Sequence, residues 1–339
     1  RPVRILKTLL RTGNIPHALL FTGIEGVGKQ SAAEAFAMAC NCRTLTERRS
    51  SGAPLPENEV EPCGQCRSCR KIQSGTHPDI LYLKPAGVAI RIAQVRELAD
   101  TLTLKPYEAQ TRVVVIKDAH TLNPHAGNAL LKLLEEPPDR TIFILTAPQT
   151  ADVMPTILSR CQILHFYPVS RARITEMLKN EGLDADTAAM LAAMAQGSPR
   201  RAGTLQAKDF QRRRDWYVRA SGLEHPEGLA PTPCGPLQAF AEALSANKDR
   251  ALEALDALTI WLRDLIVIRH TPEHIVNADR SESLKAAAAQ TQVEWLLQRV
   301  EMIQSARRAL ESNANLRLTL EVMMLRLAQP VSSKFKAES

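Results

Sequence analysis

Short apolar runs alternate with amphipathic stretches along the first half of the chain. The runs are rich in aliphatic and β-branched residues, which is typical of strands that are covered on both faces. The stretches between them place apolar residues at helical spacing, as in Ile92–Leu104. The predicted strands are Ala18–Phe21, Ile80–Lys84, Arg112–Lys117, Thr141–Thr146 and Cys161–Phe166. Their alternation with helices predicts an α/β fold, a parallel sheet with helices on both faces.

The pattern changes after Pro168, where apolar residues recur only at helical spacing. The predicted helices there are Ala172–Glu181, Ala185–Gln196, Phe210–Ala220, Leu237–Ala246, Lys248–Arg269, Ser283–Ser312 and Leu316–Leu327, with Ser221–Pro236 as a loop. We therefore divide the chain into an α/β domain (1–167), a small helical domain (168–204), a larger all-helical domain (205–330) and a frayed tail (331–339).

Composition adds little to this division. Arg43–Pro62 is polar and aperiodic, which predicts an insertion loop. The net charge of +7, from 43 Lys+Arg against 36 Asp+Glu, fits a solvated basic surface and nucleic-acid binding equally well. No apolar run approaches the roughly 20 residues of a membrane span, so we expect a cytoplasmic protein.

A glycine-rich stretch follows the first predicted strand and precedes a helix. Gly23, Gly26, Gly28 and Lys29 fit the phosphate-loop pattern G-x-x-x-x-G-K-[S/T] up to its last position. Backbone N–H groups at such a turn bind phosphate, although a simple glycine turn is the alternative. The last position holds Gln30 in place of the hydroxyl residue that would reach Mg²⁺. We predict a phosphate-loop fold that lacks this metal ligand.

The acidic partner of a phosphate loop normally ends a neighbouring buried strand. It has the form Asp-Glu, in which the Asp helps to hold Mg²⁺ and the Glu polarises water. Here Val113–Ile116 is followed by Lys117 and Asp118. Lys117 places a cation at the metal position, and Asp118 falls at the position of the Glu. Because two metal-binding positions are altered, we predict that this chain does not hydrolyse ATP on its own.

Three closely spaced cysteines, Cys63, Cys66 and Cys69, form the pattern C-x-x-C-x-x-C. Thiolates at this spacing bind tetrahedral Zn²⁺, and clustered cysteines in a chain of cytosolic character favour metal over disulfides. We predict a structural zinc site with Cys42, at the end of a helix, as the fourth ligand. The alternatives are His77 as the fourth ligand, or a group of unligated thiols.

Two arginines lie in short motifs beside predicted helices. Arg160 is part of L-S-R-C, between a short helix and the last strand, and Arg200 ends G-S-P-R. From spacing alone, a structural arginine that complements a helix C-terminus is the favoured interpretation of Arg160. Arg200 is by the same reasoning an ordinary surface residue near a helix start.

Several segments together resemble the clamp-loader branch of the AAA+ family. They are His17–Lys29 (H-A-L-L-F-T-G-I-E-G-V-G-K), the four cysteines, Thr76–Asp79 (T-H-P-D), Asn128–Pro138 (N-A-L-L-K-L-L-E-E-P-P), Leu158–Cys161 (L-S-R-C), Gly197–Arg200 (G-S-P-R) and Asn315–Leu327. They span nearly the whole chain in family order, and E-E-P-P and S-R-C combined with the cysteines are highly specific. The resemblance implies an AAA+ P-loop α/β domain with a zinc-binding insertion at 42–69, a helical lid and an all-helical collar that assembles five subunits into a ring.

The resemblance also implies roles for single residues. Arg160 corresponds to an arginine finger, which reaches across a subunit interface to the γ-phosphate of a neighbour's ATP. A guanidinium supplied in this way stabilises the charge of phosphoryl transfer. Thr146 falls at the family's sensor-1 position and Arg200 at its sensor-2 position, roles that apply where nucleotide is turned over.

The function implied by the resemblance is that of a non-motor subunit of a pentameric clamp loader, which loads the sliding β clamp onto primed DNA. Its partners would be the delta and gamma/tau subunits, and polymerase activity would belong to the DNA polymerase III holoenzyme. Zn²⁺ is the expected cofactor, while ATP is expected at a neighbour's site. Two alternatives remain, an active ATPase motor of the gamma/tau kind and a zinc-dependent DNA-binding module without a ring role.

Overall fold

The computed structural model describes residues 2–50, 60–205, 207–223, 234–311 and 314–328. These residues form two compact units. The first comprises the chain up to residue 169 together with residues 198–200, and the second comprises residues 170–197 and the chain from 201 onward. The finer division of the helical part into a lid and a collar stays a prediction.

The first unit is built on a parallel sheet of five strands, all within the described residues. The strands are β1 (Ala18–Thr22), β2 (Ile80–Leu83), β3 (Arg112–Ile116), β4 (Thr141–Ala147) and β5 (Gln162–His165), in the order β2-β3-β4-β1-β5. Every residue of β1, β3 and β4 is buried. Because these central strands are covered on both faces, their sequences are continuous apolar runs, and the predicted parallel sheet is confirmed.

The helices of this unit cover the two faces of the sheet. They are α1 (Pro2–Thr12), α2 (Lys29–Asn41), α3 (Arg43–Ser50), α4 (Arg67–Gln73), α5 (Ile92–Leu102), α6 (Pro124–Glu135) and α7 (Pro155–Leu158). Successive side chains of a strand point to opposite faces. Leu19 and Phe21 of β1 therefore pack with Phe36 of α2, while Leu20 packs in a second core with Leu130 of α6.

The predicted insertion loop Arg43–Pro62 begins as a helix instead, α3, and residues 51–59 lie outside the described part of the chain. Helix α3 has a single apolar residue, Leu45, so hydrophobic periodicity gave no helix signal. The structure buries Leu45 in the core, and Arg43 and Glu47 form an i,i+4 ion pair of 2.7 Å. Tertiary packing of one leucine outweighs the polar character of the segment.

A buried carboxylate fixes the segment that leads into β3. Asp79 accepts hydrogen bonds of 2.8 Å from the backbone N–H groups of Tyr107, Glu108 and Ala109. The guanidinium of Arg112, at the start of β3, lies 3.9 Å from the same carboxylate, and both side chains are almost fully buried. The last residue of the T-H-P-D motif therefore organises a loop that is distant in sequence.

From residue 171 onward the described residues contain helices and no strand. The helices are α8 (Arg171–Asn180), α9 (Ala185–Met194), α10 (Pro199–Thr204), α11 (Ala207–Ala220), α12 (Cys234–Ser245), α13 (Lys248–Val267), α14 (Ser281–Ala289), α15 (Val293–Glu311) and α16 (Leu316–Ala328). In the second unit α13 packs against α11, α14 and α15. The predicted all-helical character is confirmed.

Two boundaries in the helical part differ from the prediction. Ser283–Ser312 was expected to be one helix, but it is interrupted between α14 and α15, where the hydroxyl of Thr291 donates to the carbonyl of Ala287. A Thr side chain that bonds the preceding turn competes with helix continuation. The predicted loop Ser221–Pro236 lies largely outside the described residues, and α12 begins within it, at Cys234. The predicted tail Val331–Ser339 also lies outside them.

The helical unit contains a buried cation that the sequence pattern did not indicate. The guanidinium of Arg214, on α11, is almost fully buried and bonds both carboxylate oxygens of Asp279 at 2.8 and 2.7 Å. It also donates to Asp215 and to the amide oxygen of Asn277. This network joins α11 to the segment that precedes α14.

Candidate functional site

The predicted phosphate loop connects β1 to α2 in a conformation that requires glycine. Gly26 and Gly28 have φ values of 72° and 102°, in the left-handed region that other residues rarely adopt. A Cβ atom at Gly23 would lie 2.2 Å from the carbonyl oxygen of Phe166. Strand, tight glycine turn and helix therefore follow one another as the motif predicts.

Lys29 opens α2 and turns its amine towards the loop itself. Its Nζ donates to the carbonyl oxygens of Gly23 and Ile24, the latter at 3.0 Å. Burial lowers the pKa of Lys29, while the charges of Asp118 and Glu25 act in the opposite direction. The lysine thus lies at the loop, with Asp118 near enough to influence its charge.

Gln30, at the predicted metal position next to Lys29, directs its amide along the helix. The Nε2 of Gln30 donates a hydrogen bond of 2.9 Å to the carboxylate of Glu34, one turn further along α2. A Ser or Thr at this place would offer a short hydroxyl to Mg²⁺. Gln30 is instead used in an i,i+4 pair on the helix.

Lys117 and Asp118, at the second predicted metal-binding position, directly follow β3. The amine of Lys117 lies 5.2 Å from the centre of the Tyr82 ring, a cation–π contact with β2. Asp118 adopts a left-handed conformation (φ 54°), and its backbone N–H donates to the hydroxyl of Thr146 at 3.1 Å. The structure thereby brings the predicted residues Asp118 and Thr146 together at the ends of adjacent strands.

Ser198–Arg200 of the G-S-P-R motif lie against the phosphate loop, within the first unit. The backbone N–H of Arg200 donates to the carbonyl oxygen of Gly26 at 3.3 Å. A Cβ atom at Gly26 would come within 2.2 Å of the hydroxyl of Ser198 and 3.0 Å of the Cβ of Arg200. The sequence indicated that Gly26 lies in a tight turn. It did not indicate that a side chain at this position would also collide with Ser198 and Arg200.

Arg160 lies in the turn between α7 and β5. Its Nη1 donates to the carbonyl oxygen of Thr156 at 2.9 Å and to the hydroxyl of Ser159 at 3.1 Å, and its Nη2 donates to Glu135 at 2.5 Å. About a third of the Arg160 side chain remains exposed (35%). The partner Glu135, which belongs to the E-E-P-P motif, was missed by the sequence analysis because the two residues are 25 positions apart.

Four cysteine sulfurs converge beside α2, those of Cys42, Cys63, Cys66 and Cys69. All lie within 4.8 Å of one another. The backbone N–H groups of Cys63, Cys66 and Cys69 point at the sulfurs of Cys42, Cys63 and Cys66, at 3.4, 3.3 and 3.5 Å. The N–H groups of Cys66 and Gln65 lower the pKa of Cys63 to about 6, whereas burial raises the pKa of Cys69.

This donor set fits a tetrahedral Zn²⁺ ion, since four thiolates at one point form a closed, structural type of site. Cys42 is the fourth cysteine of the cluster, as predicted. His77, the alternative ligand, accepts a hydrogen bond from the backbone N–H of Asp79 and faces Glu108 at 3.8 Å. Among the described residues it is not part of the cluster.

No helix within the described ranges is long and apolar enough to cross a membrane.

Comparison with protein-family models gives two matches along the chain. Residues 1–170 match the model described as "DNA polymerase III, delta subunit". Residues 227–329 match the model for the C-terminal part of that subunit. The two matches follow one another in the order of the family.

The curated relatives are subunits of DNA polymerase III. The delta′ subunit of DNA polymerase III from Bacillus subtilis is 26% identical over 97% of this chain and 96% of its own length. The tau subunit of Escherichia coli is 29% identical over 95% of this chain. The tau/gamma subunit of Haemophilus influenzae is 34% identical over 56% of this chain. The chain spans only 45% and 27% of these two longer relatives.

Solved structures with a similar chain have low sequence identity. A DNA polymerase III gamma subunit-related protein of Thermotoga maritima has a TM-score of 0.43 and 18% identity, with 96% of this chain and 99% of that chain covered. The clamp loader delta protein of B. subtilis has a TM-score of 0.33 and 12% identity, with coverages of 97% and 100%.

Proposed function

This chain belongs to the DNA polymerase III delta-subunit family and is a clamp-loader subunit, and we propose that its role is non-motor and delta′-like. In this role it supports the ATP-dependent loading of the sliding β clamp onto primed DNA in the cytoplasm. Its partners in a ring of five subunits are the delta and gamma/tau subunits. Polymerase activity belongs to the holoenzyme that the loader serves.

Support for a non-motor role comes from the two altered metal positions. Gln30 pairs with Glu34 along α2, and Lys117 places a positive charge at the end of β3. Hydrolysis of ATP at a phosphate loop relies on Mg²⁺, which a hydroxyl and a carboxylate hold at these two places. The glycine loop and Lys29 retain the geometry of a phosphate cradle, but they lack both metal ligands.

Arg160 is the residue through which this chain is proposed to act on ATP. Its guanidinium is partly exposed, held by contacts with its own turn and with Glu135, and always charged. An arginine supplied in trans stabilises the charge that develops on the transferred phosphoryl group and is worth about 10³–10⁵ in rate. We assign Arg160 this role at the ATP site of a neighbouring gamma/tau subunit.

The predicted collar, residues 205–330, is proposed to hold the ring together. One face of α16 presents Leu318, Val322 and Leu325 to solvent, with exposures of 59%, 39% and 46%. Their spacing of i, i+4 and i+7 forms an apolar stripe along the helix. Such a stripe at the surface of a single chain is suited to packing against helices of other subunits.

The cysteine cluster is proposed to hold one structural Zn²⁺ ion. Cys42 is the C-cap of α2, while Cys66 caps the N-terminus of α4 and Cys69 lies within α4. A metal bound by these side chains would join α4 to the helix that follows the phosphate loop. When bound, the ion supplies folding energy and no catalytic chemistry, because all four ligand positions are filled by protein.

A motor subunit of the gamma/tau kind is the second candidate, since tau relatives are 29–34% identical to this chain over the matched regions. ATP turnover by the isolated chain separates the two roles. The proposed role itself is tested by replacing Arg160 in a reconstituted loader, with the rate of ATP hydrolysis in the presence of clamp and primed DNA as the readout.

A further inference from the structure

The tip of Arg160 is held by two different helices. Its Nη1 bonds the carbonyl of Thr156 and the hydroxyl of Ser159, which belong to α7 and the turn that follows it. Its Nη2 bonds the carboxylate of Glu135, the last residue of α6. We propose that Glu135 is a positioning residue for Arg160, an inference that rests on the proposed arginine-finger role.

Glu135 is well placed for this task because the core fixes it. Leu130 and Leu134 of the same helix are fully buried against the sheet, so the rotation of α6 about its axis is set. The helix ends at Glu135, with Glu136 as its C-cap and the Pro137-Pro138 step directly after it. Proline lacks a backbone N–H and disfavours helical conformation in the residue before it, which gives the helix a defined end.

Arg160 needs such a contact, since the helix that precedes it is short. Helix α7 has only four residues, and the arginine lies beyond its end. A long arginine side chain has many rotamers in solution, and a reaction in trans requires one of them. Among the described residues, the contact with Glu135 is the one that reaches the guanidinium from outside its own turn.

The contact leaves the guanidinium available to a ligand. Of its five N–H groups, three donate to Thr156, Ser159 and Glu135, and those on Nε and on the second Nη2 position have no partner among the described residues. Both side chains are partly exposed, 35% for Arg160 and 48% for Glu135, so their attraction is screened by water. Glu135 therefore orients the arginine and does not neutralise it.

The experiment uses a reconstituted loader with clamp and primed DNA, in which this chain carries Glu135→Ala, Glu135→Gln, Arg160→Ala or both Ala changes. Glu136→Ala is the matched control, because it removes the adjacent exposed carboxylate. For Glu135→Ala we expect kcat for ATP hydrolysis to fall about three- to fivefold, the effect of one exposed ion pair, with KM for ATP unchanged. Glu135→Gln keeps an acceptor oxygen and should retain most of the activity.

The variant with both Ala changes shows whether Glu135 acts through Arg160. If Glu135 acts through Arg160, the double variant is no slower than Arg160→Ala alone. The inference is overturned if Arg160→Ala slows hydrolysis while Glu135→Ala has no effect or accelerates it, or if the two effects multiply. If instead Arg160→Ala has no effect, the arginine-finger role itself is wrong.

Discussion

The backbone N–H of Asp118 donates a hydrogen bond of 3.1 Å to the hydroxyl of Thr146. This contact joins the ends of β3 and β4, the two strands that carry the predicted acidic and sensor positions. Asp118 takes a left-handed conformation in making it, which a non-glycine residue adopts only when its surroundings hold it there. The end of the sheet beside the phosphate loop is therefore held by a defined contact, although Lys117 stands at the predicted metal position.

The first prediction concerns ATP turnover by the isolated chain. Because Gln30 and Lys117 lie at the two predicted metal positions, we expect the release of phosphate from Mg-ATP to equal that of the Lys29→Ala variant. The assay compares both proteins over a range of ATP concentrations. Turnover that the Lys29→Ala change abolishes would establish the motor role instead.

The second prediction concerns zinc. We expect elemental analysis of the purified chain to find one zinc per chain, and the Cys42→Ser variant to lose most of it. Cys40→Ser is the matched control, since Cys40 is buried on the same helix but outside the cluster. A strong chelator should lower the unfolding temperature of the wild type, because metal binding is linked to folding. Equal zinc content in both variants would contradict the assigned ligands.

The third prediction concerns Asp79 and the loop before β3. Burial acts to raise the pKa of Asp79, but the N–H donors of Glu108, Tyr107 and Ala109 and the charge of Arg112 outweigh it and bring the pKa below its usual value. A carboxyl with a lowered pKa stabilises the fold at pH values above its unfolded pKa of about 3.9, and this stabilisation is lost as the pH falls through the folded pKa.

Asp79→Asn should therefore reduce the free energy of unfolding at pH 7 by about 3 kcal/mol, as expected when one member of a buried charged network is removed. Urea unfolding at several pH values measures the effect. The difference from wild type should stay constant down to about pH 5 and shrink below about pH 4. Asp139→Asn, at an exposed aspartate, serves as the control; a constant difference at every pH would show that Asp79 contributes by shape and not by charge.

The sequence predicts the sheet well because the strands are short β-branched or aliphatic runs, of which Val113–Ile116 is the clearest. It does not predict α3, where a single leucine provides the packing, or the break at Thr291, where a side chain ends the helix. The packing of Leu45 is a tertiary contact that no local pattern contains, and a Thr within a helical pattern does not show by itself that its hydroxyl bonds the preceding turn. Arg214 illustrates the same limit, since its burial depends on Asp279, 65 residues further along the chain.

In the candidate site, too, some features could be predicted from the sequence and others depend on tertiary structure. The glycine loop and the cysteines could be predicted because their chemistry fixes the spacing of a few nearby residues. The contact between Arg160 and Glu135 could not, because it depends on how α6 and α7 pack. The proximity of Ser198 to Gly26 is likewise a consequence of tertiary structure.

The arginine-finger role of Arg160 is tested most directly by the rate of ATP hydrolysis of a reconstituted loader in which this chain carries Arg160→Ala. Arg173→Ala is the control, as it removes another exposed arginine that is paired with a glutamate, Glu176. With clamp and primed DNA present, we expect Arg160→Ala to lower kcat by about tenfold or more and Arg173→Ala to leave it unchanged. Equal rates for wild type and Arg160→Ala would contradict the role of this chain as the donor of an arginine finger.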